Sequence, residues 1–212
     1  MPFRGSAELE LGDYESAKAD FDQAISMDPK NYDRLIEIYE ALAAHGYREV
    51  GQEYLQNVLD TAKQLDAYDS GRIYYYLGEY QKAYLALDEA RDKGGADSYL
   101  YLGRAYAATG DYNYASSVYN NYLSKQGPNA EIYNELGLCE MAKKEYQNAL
   151  AAFQAGKQIE GNSLMQTLCF NEIVAYEYLE DYQQAEVLMN AYLQNYPDDQ
   201  TAIREQQFLS TR

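Results

Sequence analysis

The sequence predicts an all-α fold, an array of about six helix–turn–helix units closed by a C-terminal helix. Three observations predict it. A short segment recurs six times, as GDYESA (12–17), GYREVG (46–51), GEYQKA (78–83), GDYNYA (110–115), KEYQNA (144–149) and EDYQQA (180–185). The small residue that ends each copy (Ala17, Gly51, Ala83, Ala115, Ala149, Ala185) returns after 34, 32, 32, 34 and 36 residues, a period that marks stacked repeats. Each period also holds two stretches with apolar residues at helical spacing, and only 4 prolines interrupt 212 residues.

The second helix of each unit, helix B, follows from the columns around the small residue. Three positions earlier stand Tyr14, Tyr80, Tyr112, Tyr146 and Tyr182, with Arg48 as the exception; four positions later stand Phe21, Leu55, Leu87, Tyr119, Phe153 and Met189. Offsets of −3, 0, +4 and +7 trace one face of a helix. The small residue lets a neighbouring helix approach, and the large one fills the space beside it. Helix A lies upstream, where Gly5, Tyr39, Gly71, Gly103, Gly137 and Ile173 stand twelve residues before the small column. Between A and B, a Gly-Asp or Gly-Glu pair suits the end of one helix and the start of the next. Breakers such as DPKN, DKGG, KQGPN, EGN and YPDD separate the units. The approximate units are 1–31, 32–65, 66–95, 96–129, 130–163 and 164–198 of a single array. The more polar segment 199–212 is expected to be a capping helix that shields the last unit. Copy two, with Tyr39 and Gly51, and copy six, with Ile173, are expected to splay or rotate relative to ideal stacking.

Composition narrows the function. Lys and Arg number 17 against 34 Asp and Glu, a net charge of −17. The two halves carry −9 and −8 by residue count, so the charge is a coat and not a tail. Such a surface repels phosphate backbones, and nucleic acid is not an expected partner. Cys139 and Cys169 form no CxxC and have no paired histidine, so they are expected to be free thiols without metal. The single histidine, His45, falls at the end of a helix A beside Gly46, where a structural role at the helix C-terminus suffices. No nucleophile elbow, phosphate loop or paired catalytic carboxylates can be found. An enzyme is therefore not expected, and neither is a cofactor. No run of apolar residues is long enough to span a membrane, and no signal-peptide pattern opens the chain.

With Gly in helix A, G-D-Y and then Ala and an aromatic in helix B, and Pro29 or Pro197 after it, units of about 34 residues resemble tetratricopeptide repeats over nearly the whole chain. The resemblance implies a right-handed α-solenoid, and a bacterial repeat protein or a fragment of one is expected. Because copy one starts almost at Met1, a longer parent protein is an expectation. The location is left open between the cytoplasm and, if a targeting segment is missing, the cell envelope or extracellular face.

The resemblance further implies that helices A line a concave groove. One residue past the helix A glycine column stand Glu40, Arg72, Arg104, Leu138 and Val174. Four before and three after them fall Tyr68, Leu100, Asn134 and Phe170, and Tyr75, Met141 and Glu177. The candidate partner-binding residues are Tyr68, Arg72, Tyr75, Leu100, Arg104, Asn134, Leu138, Met141 and Phe170. Arg72 and Arg104 hold equivalent places in adjacent units and are expected to be partly exposed neighbours. Arginine forks bind carboxylates bidentately, while aromatic and Met side chains offer adaptable apolar contact. That combination suits an extended peptide or a partner helix bearing an acidic group. Pairing of each arginine with a carboxylate of the chain itself, such as Asp97 or Glu131, is the competing reading. Some members of the family clamp chaperone tails with Lys and Asn, but the matching places here are Pro2, Ser6, Ile36 and Glu40, which do not support that role. The expected function is a non-catalytic protein-binding scaffold, monomeric or weakly dimeric. The alternatives are the exposed module of a bacterial envelope lipoprotein and a regulatory or non-catalytic subunit of an enzyme complex.

Overall fold

A computed structural model describes residues 2–212, with side chains from Arg4 onward. Its regular elements are helices, and no strand occurs among the described residues. Packing divides the chain into two compact units, Met1–Gly95 and Ala96–Arg212. The division falls in the DKGG breaker, where Gly94 takes φ 93° just after a helix ends.

The first unit contains α1 (Pro2–Glu10), α2 (Tyr14–Met27), α3 (Tyr32–Ala44), α4 (Arg48–Thr61), α5 (Ala67–Tyr76) and α6 (Tyr80–Asp92). Consecutive helices pair as α1/α2, α3/α4 and α5/α6, and α1 also packs on α3. The second unit contains α7 (Ser98–Ala108), α8 (Tyr112–Gln126), α9 (Ala130–Ala142), α10 (Tyr146–Lys157), α11 (Met165–Tyr178), α12 (Tyr182–Asn195) and α13 (Gln200–Leu209). It pairs them as α7/α8, α9/α10 and α11/α12, with α7 against α9 and α13 against α12. The odd-numbered helices up to α11 are the helices A of the sequence, and the even-numbered ones are the helices B.

Local chemistry fixes the ends of the helices. Asp13, Asp111 and Asp181 each accept a hydrogen bond from the backbone N–H three residues on, at 3.1 Å. This satisfies a donor that the first helical turn leaves open. The residue before the cap must turn the chain sharply. Gly110 does so at φ 85°, while Lys144 and Glu180 adopt φ 65° and 61° in the two copies that lack the glycine, at some cost in strain.

One contact joins A to B in every pair. A Cβ built on Gly103 would lie 2.3 Å from the Tyr119 ring, and one on Gly137 would lie 2.3 Å from the Phe153 ring. Gly5 and Gly71 meet Phe21 and Leu87 in the same way, each at 2.5 Å. These large partners are completely buried. The helix A glycine is therefore a socket, and the residue sixteen positions on is its plug. Copy two inverts the arrangement. There Tyr39 occupies the socket position, and a Cβ on Gly51 of the facing helix would come within 2.9 Å of its ring. Copy six sets Ile173 against the slimmer, flexible Met189, both within one core cluster that also holds Tyr192, Ala202 and Leu209. At both of the departures from the repeat pattern, a change of size on one helix accompanies a matching change on the other.

Filling a socket tests this directly. Gly137→Ala should lower stability by ~1–3 kcal/mol through overpacking against Phe153. Asn113→Ala, on an exposed position of α8, should leave the melting temperature close to that of the parent. Equal melting temperatures for the two variants would remove the socket from the account.

Candidate functional site

In the first unit, α5 carries Tyr68, Arg72 and Tyr75. Arg72 is buried, its side chain only 8% exposed. Its Nη1 donates to Asp33 of α3 and its Nη2 to Asp69 of α5. Its guanidinium lies over the Tyr68 ring, 4.4 Å from the centroid. Burial alone would lower the pKa of Arg72, but its hydrogen bonds to Asp33 and Asp69 outweigh it and hold the group above its ordinary value. A second tie joins the same helices, where the Tyr76 hydroxyl donates to Glu40 at 2.6 Å. Tyr75 is half-buried and meets Tyr76 edge-on at 5.2 Å. Arg72 is thus a strut between two helices A, and the exposure expected of it is not found.

In the second unit, α7 carries Leu100 and Arg104, α9 carries Asn134, Leu138 and Met141, and α11 carries Phe170. Arg104 is half-buried. Its Nε and Nη2 donate to Glu135 at 3.0 and 2.7 Å, and its Nη2 also donates to Glu131 at 3.0 Å. Burial would again lower its pKa, but Glu135 and Glu131 raise it. Asn134 is buried and accepts from Asn171 of α11 at 2.9 Å, which ties α9 to α11 as Arg104 ties α7 to α9. Leu100 and Met141 are half-buried against core clusters. Phe170 packs edge-on to Tyr192 at 5.8 Å and borders a hollow of about 270 Å³ with Thr167, Asn171, Asp199 and Thr201. Leu138 stands apart, 43% exposed in the middle of this row.

An acidic group on a partner would meet guanidinium forks that are already filled from within. Carboxylates outnumber the arginine in each cluster, which reverses the sign of the charge that the sequence suggested for this face. Asp33, Asp69 and Glu135 were absent from the expected lining. Their signal was present in the repeat register, since they lie three or seven positions before the Glu40, Arg72 and Leu138 column.

A further carboxylate pair lies at the end of this face. Glu177 of α11 has one oxygen, Oε1, shut off from solvent without a hydrogen-bond partner. Burial pushes its pKa up to about 7, and the neighbouring charge of Glu205 on α13 adds to the rise. Elsewhere, His45 caps α3, with Nδ1 2.8 Å from the Ala41 carbonyl. Cys139 and Cys169 are free thiols. Cys139 is buried, which together with Glu135 and Glu140 raises its pKa to about 12. Cys169 borders a cavity of about 350 Å³ with Lys157, Met165, Glu172, Leu188 and Tyr192. Among the described residues no cluster of His, Cys, Asp or Glu could hold a metal ion, and no helix is long and apolar enough to cross a membrane.

Two measurements follow from these pairings. Arg72→Ala should cost roughly 1.5–3 kcal/mol of stability, the range for hydrogen bonds to charged groups. Arg104→Ala, at a more exposed site, should cost roughly 1 kcal/mol or less. Thermal melts in which both cost the same would deny Arg72 its strut role. For Glu177 the direction is set by linkage. Below pH 4.5, the ordinary glutamate value, folded and unfolded states both hold the proton. Between there and about 7 the unfolded chain releases it first, so stability falls as pH rises and then levels off. Allowing for solvent screening, the loss should be roughly 1–2 kcal/mol. Glu177→Gln should flatten that part of the pH profile, and a profile identical to the parent would contradict the assignment.

Family models described as tetratricopeptide repeat match residues 68–115 and 102–162, and residues 3–31. Together they account for more than half of the chain. No curated protein matches the sequence. Among solved structures, the type IV pilus biogenesis factor PilW is similar over 97% of this chain and 94% of its own, with 17% identity and a TM-score of 0.68. YrrB, described as having an unusual peptide-binding site, is similar over 88% of this chain and 97% of its own, with 18% identity and a TM-score of 0.58. A chain of the APC/C Cut9–Hcn1 hetero-tetramer matches 99% of this chain at 17% identity and a TM-score of 0.62, and this chain spans 42% of it. At such identities the likeness concerns the fold, an all-α helical-repeat solenoid. Repeats of this kind generally serve as non-catalytic modules for protein–protein interaction. The paired helices, the socket contacts and the matching models together make this chain a member of the tetratricopeptide repeat family.

Proposed function

We propose that the chain is a protein-binding scaffold without catalytic activity of its own. In this reading a peptide or partner segment lies along the helix A face of the second unit. The face comprises Leu100, Arg104, Asn134, Leu138, Met141 and Phe170. Tyr68, Arg72 and Tyr75 mark the corresponding face of the first unit, with Arg72 holding helices in place and the two tyrosines half-buried on the same helix.

The observation that carries this reading is Leu138. It is a large apolar side chain, 43% exposed, at the centre of a row whose other apolar members are half-buried. A pre-formed apolar knob framed by fixed polar groups suits an interface whose core excludes water. The arginine and asparagine ties between helices A keep that row rigid, which limits the ordering cost of binding.

Leu138→Asp tests the reading against Val187→Asp. Val187 is also exposed, at 58%, but lies on helix B α12. In affinity capture by the intact chain, Leu138→Asp should lose the partner that the parent retains, and Val187→Asp should keep it. The reverse pattern would move the binding face to helices B.

A further inference from the structure

We propose that the segment docking on the helix A face of the second unit is basic, with Lys or Arg side chains interleaved with apolar ones. The proposal rests on the binding face described above and names the chemistry of its partner.

Charge complementarity is the first argument. Across α9 and α11 this face carries Glu131, Glu135 and Glu177, with Asp97 just before α7, and Arg104 is the base that meets Glu131 and Glu135. Arg104 is engaged by two carboxylates at once, so that cluster keeps a surplus negative charge. Glu131 is not consumed by the contact, since its side chain remains 46% exposed. Two lysines of this unit are engaged elsewhere: Lys143 pairs with Glu140, and Lys157 with Glu172.

A second argument comes from the other end of the face. Glu177 of α11 and Glu205 of α13 are close enough to interact through charge and a side-chain hydrogen bond, while Oε1 of Glu177 is shut off from solvent without a donor. Two facing carboxyl groups form a place where an ammonium or guanidinium group would supply the missing hydrogen bonds and charge. Between the two acidic clusters lie exposed Leu138 and the hollow beside Phe170, which suit apolar side chains. Together they describe a segment whose cationic groups are separated by apolar ones. A wholly acidic or wholly apolar segment would cover the surplus negative charge of these clusters without neutralising it, which is costly.

The test uses the intact chain and two fluorescent peptides, a Lys-Leu-Ser repeat and the same repeat with Glu in place of Lys, followed by fluorescence anisotropy. The Lys peptide should bind, the Glu peptide should not, and added salt should weaken the binding. Glu131→Gln with Glu135→Gln should weaken the Lys peptide roughly tenfold, with circular dichroism confirming the helical content. Glu145→Gln with Glu186→Gln, an equal change of charge on exposed sites at the helices B α10 and α12, should have little effect. No binding of the Lys peptide, equal binding of the Glu peptide, or equal weakening by the two double variants would overturn the proposal; the last would mean attraction to the acidic coat alone. The two readings fail separately. If Leu138→Asp abolishes capture while the Lys peptide fails, only the partner's charge is refuted. If Leu138→Asp leaves capture intact, the face itself is refuted.

Discussion

The structure depends on one steric relation, the insertion of a large helix B side chain into the space left by a missing helix A side chain. Tyr119 and Phe153 sit where Gly103 and Gly137 have no Cβ, and neither ring is reached by solvent. Without that space the two helices of a pair would part, and the apolar stripe each presents to its neighbour would be exposed. Well-packed cores respond to single methylenes, so the relation also explains the two irregular repeats. Tyr39 opposite Gly51 and Ile173 opposite Met189 conserve the contact by redistributing its volume. The period of the sequence is therefore the period of this contact, and the helix A glycine column and the large helix B column are its two halves.

A second set of contacts works between pairs. Arg72 joins α5 to α3, Arg104 joins α7 to α9, and Asn171 joins α11 to α9. These polar ties run from one helix A to the next. Placing the arginines in such ties has a functional consequence. A guanidinium that holds two helices of its own chain is already filled, and one carboxylate of each cluster, Asp33 or Glu131, stays at the surface. The same pairing that stiffens the face thus gives it an acidic character.

How much of this was legible in the sequence depended on range. The socket and plug residues, sixteen apart, lie within one unit, and their alternation of size can be read without a structure. The turn chemistry at Asp111 and Asp181 was equally plain, being a matter of neighbouring residues. The arginine ties were not, because equivalent positions solve the problem differently. Arg72 reaches back to the preceding helix A for Asp33 and along its own helix for Asp69, whereas Arg104 reaches forward for both Glu131 and Glu135. A column alignment places the two arginines together but cannot say which carboxylate each will take. Glu205 was further out of reach, since α13 lies outside the six-copy pattern.

The claim that joins these observations is that the helix A face of the second unit, centred on Leu138, is where a partner binds. Methyl nuclear magnetic resonance of the chain, with and without the captured partner, addresses it most directly. The account predicts that the methyl signals of Leu138, Met141 and Leu100 shift or broaden on binding while those of Val187 on α12 stay in place. Shifts at Val187 with Leu138 and Met141 unmoved would contradict it.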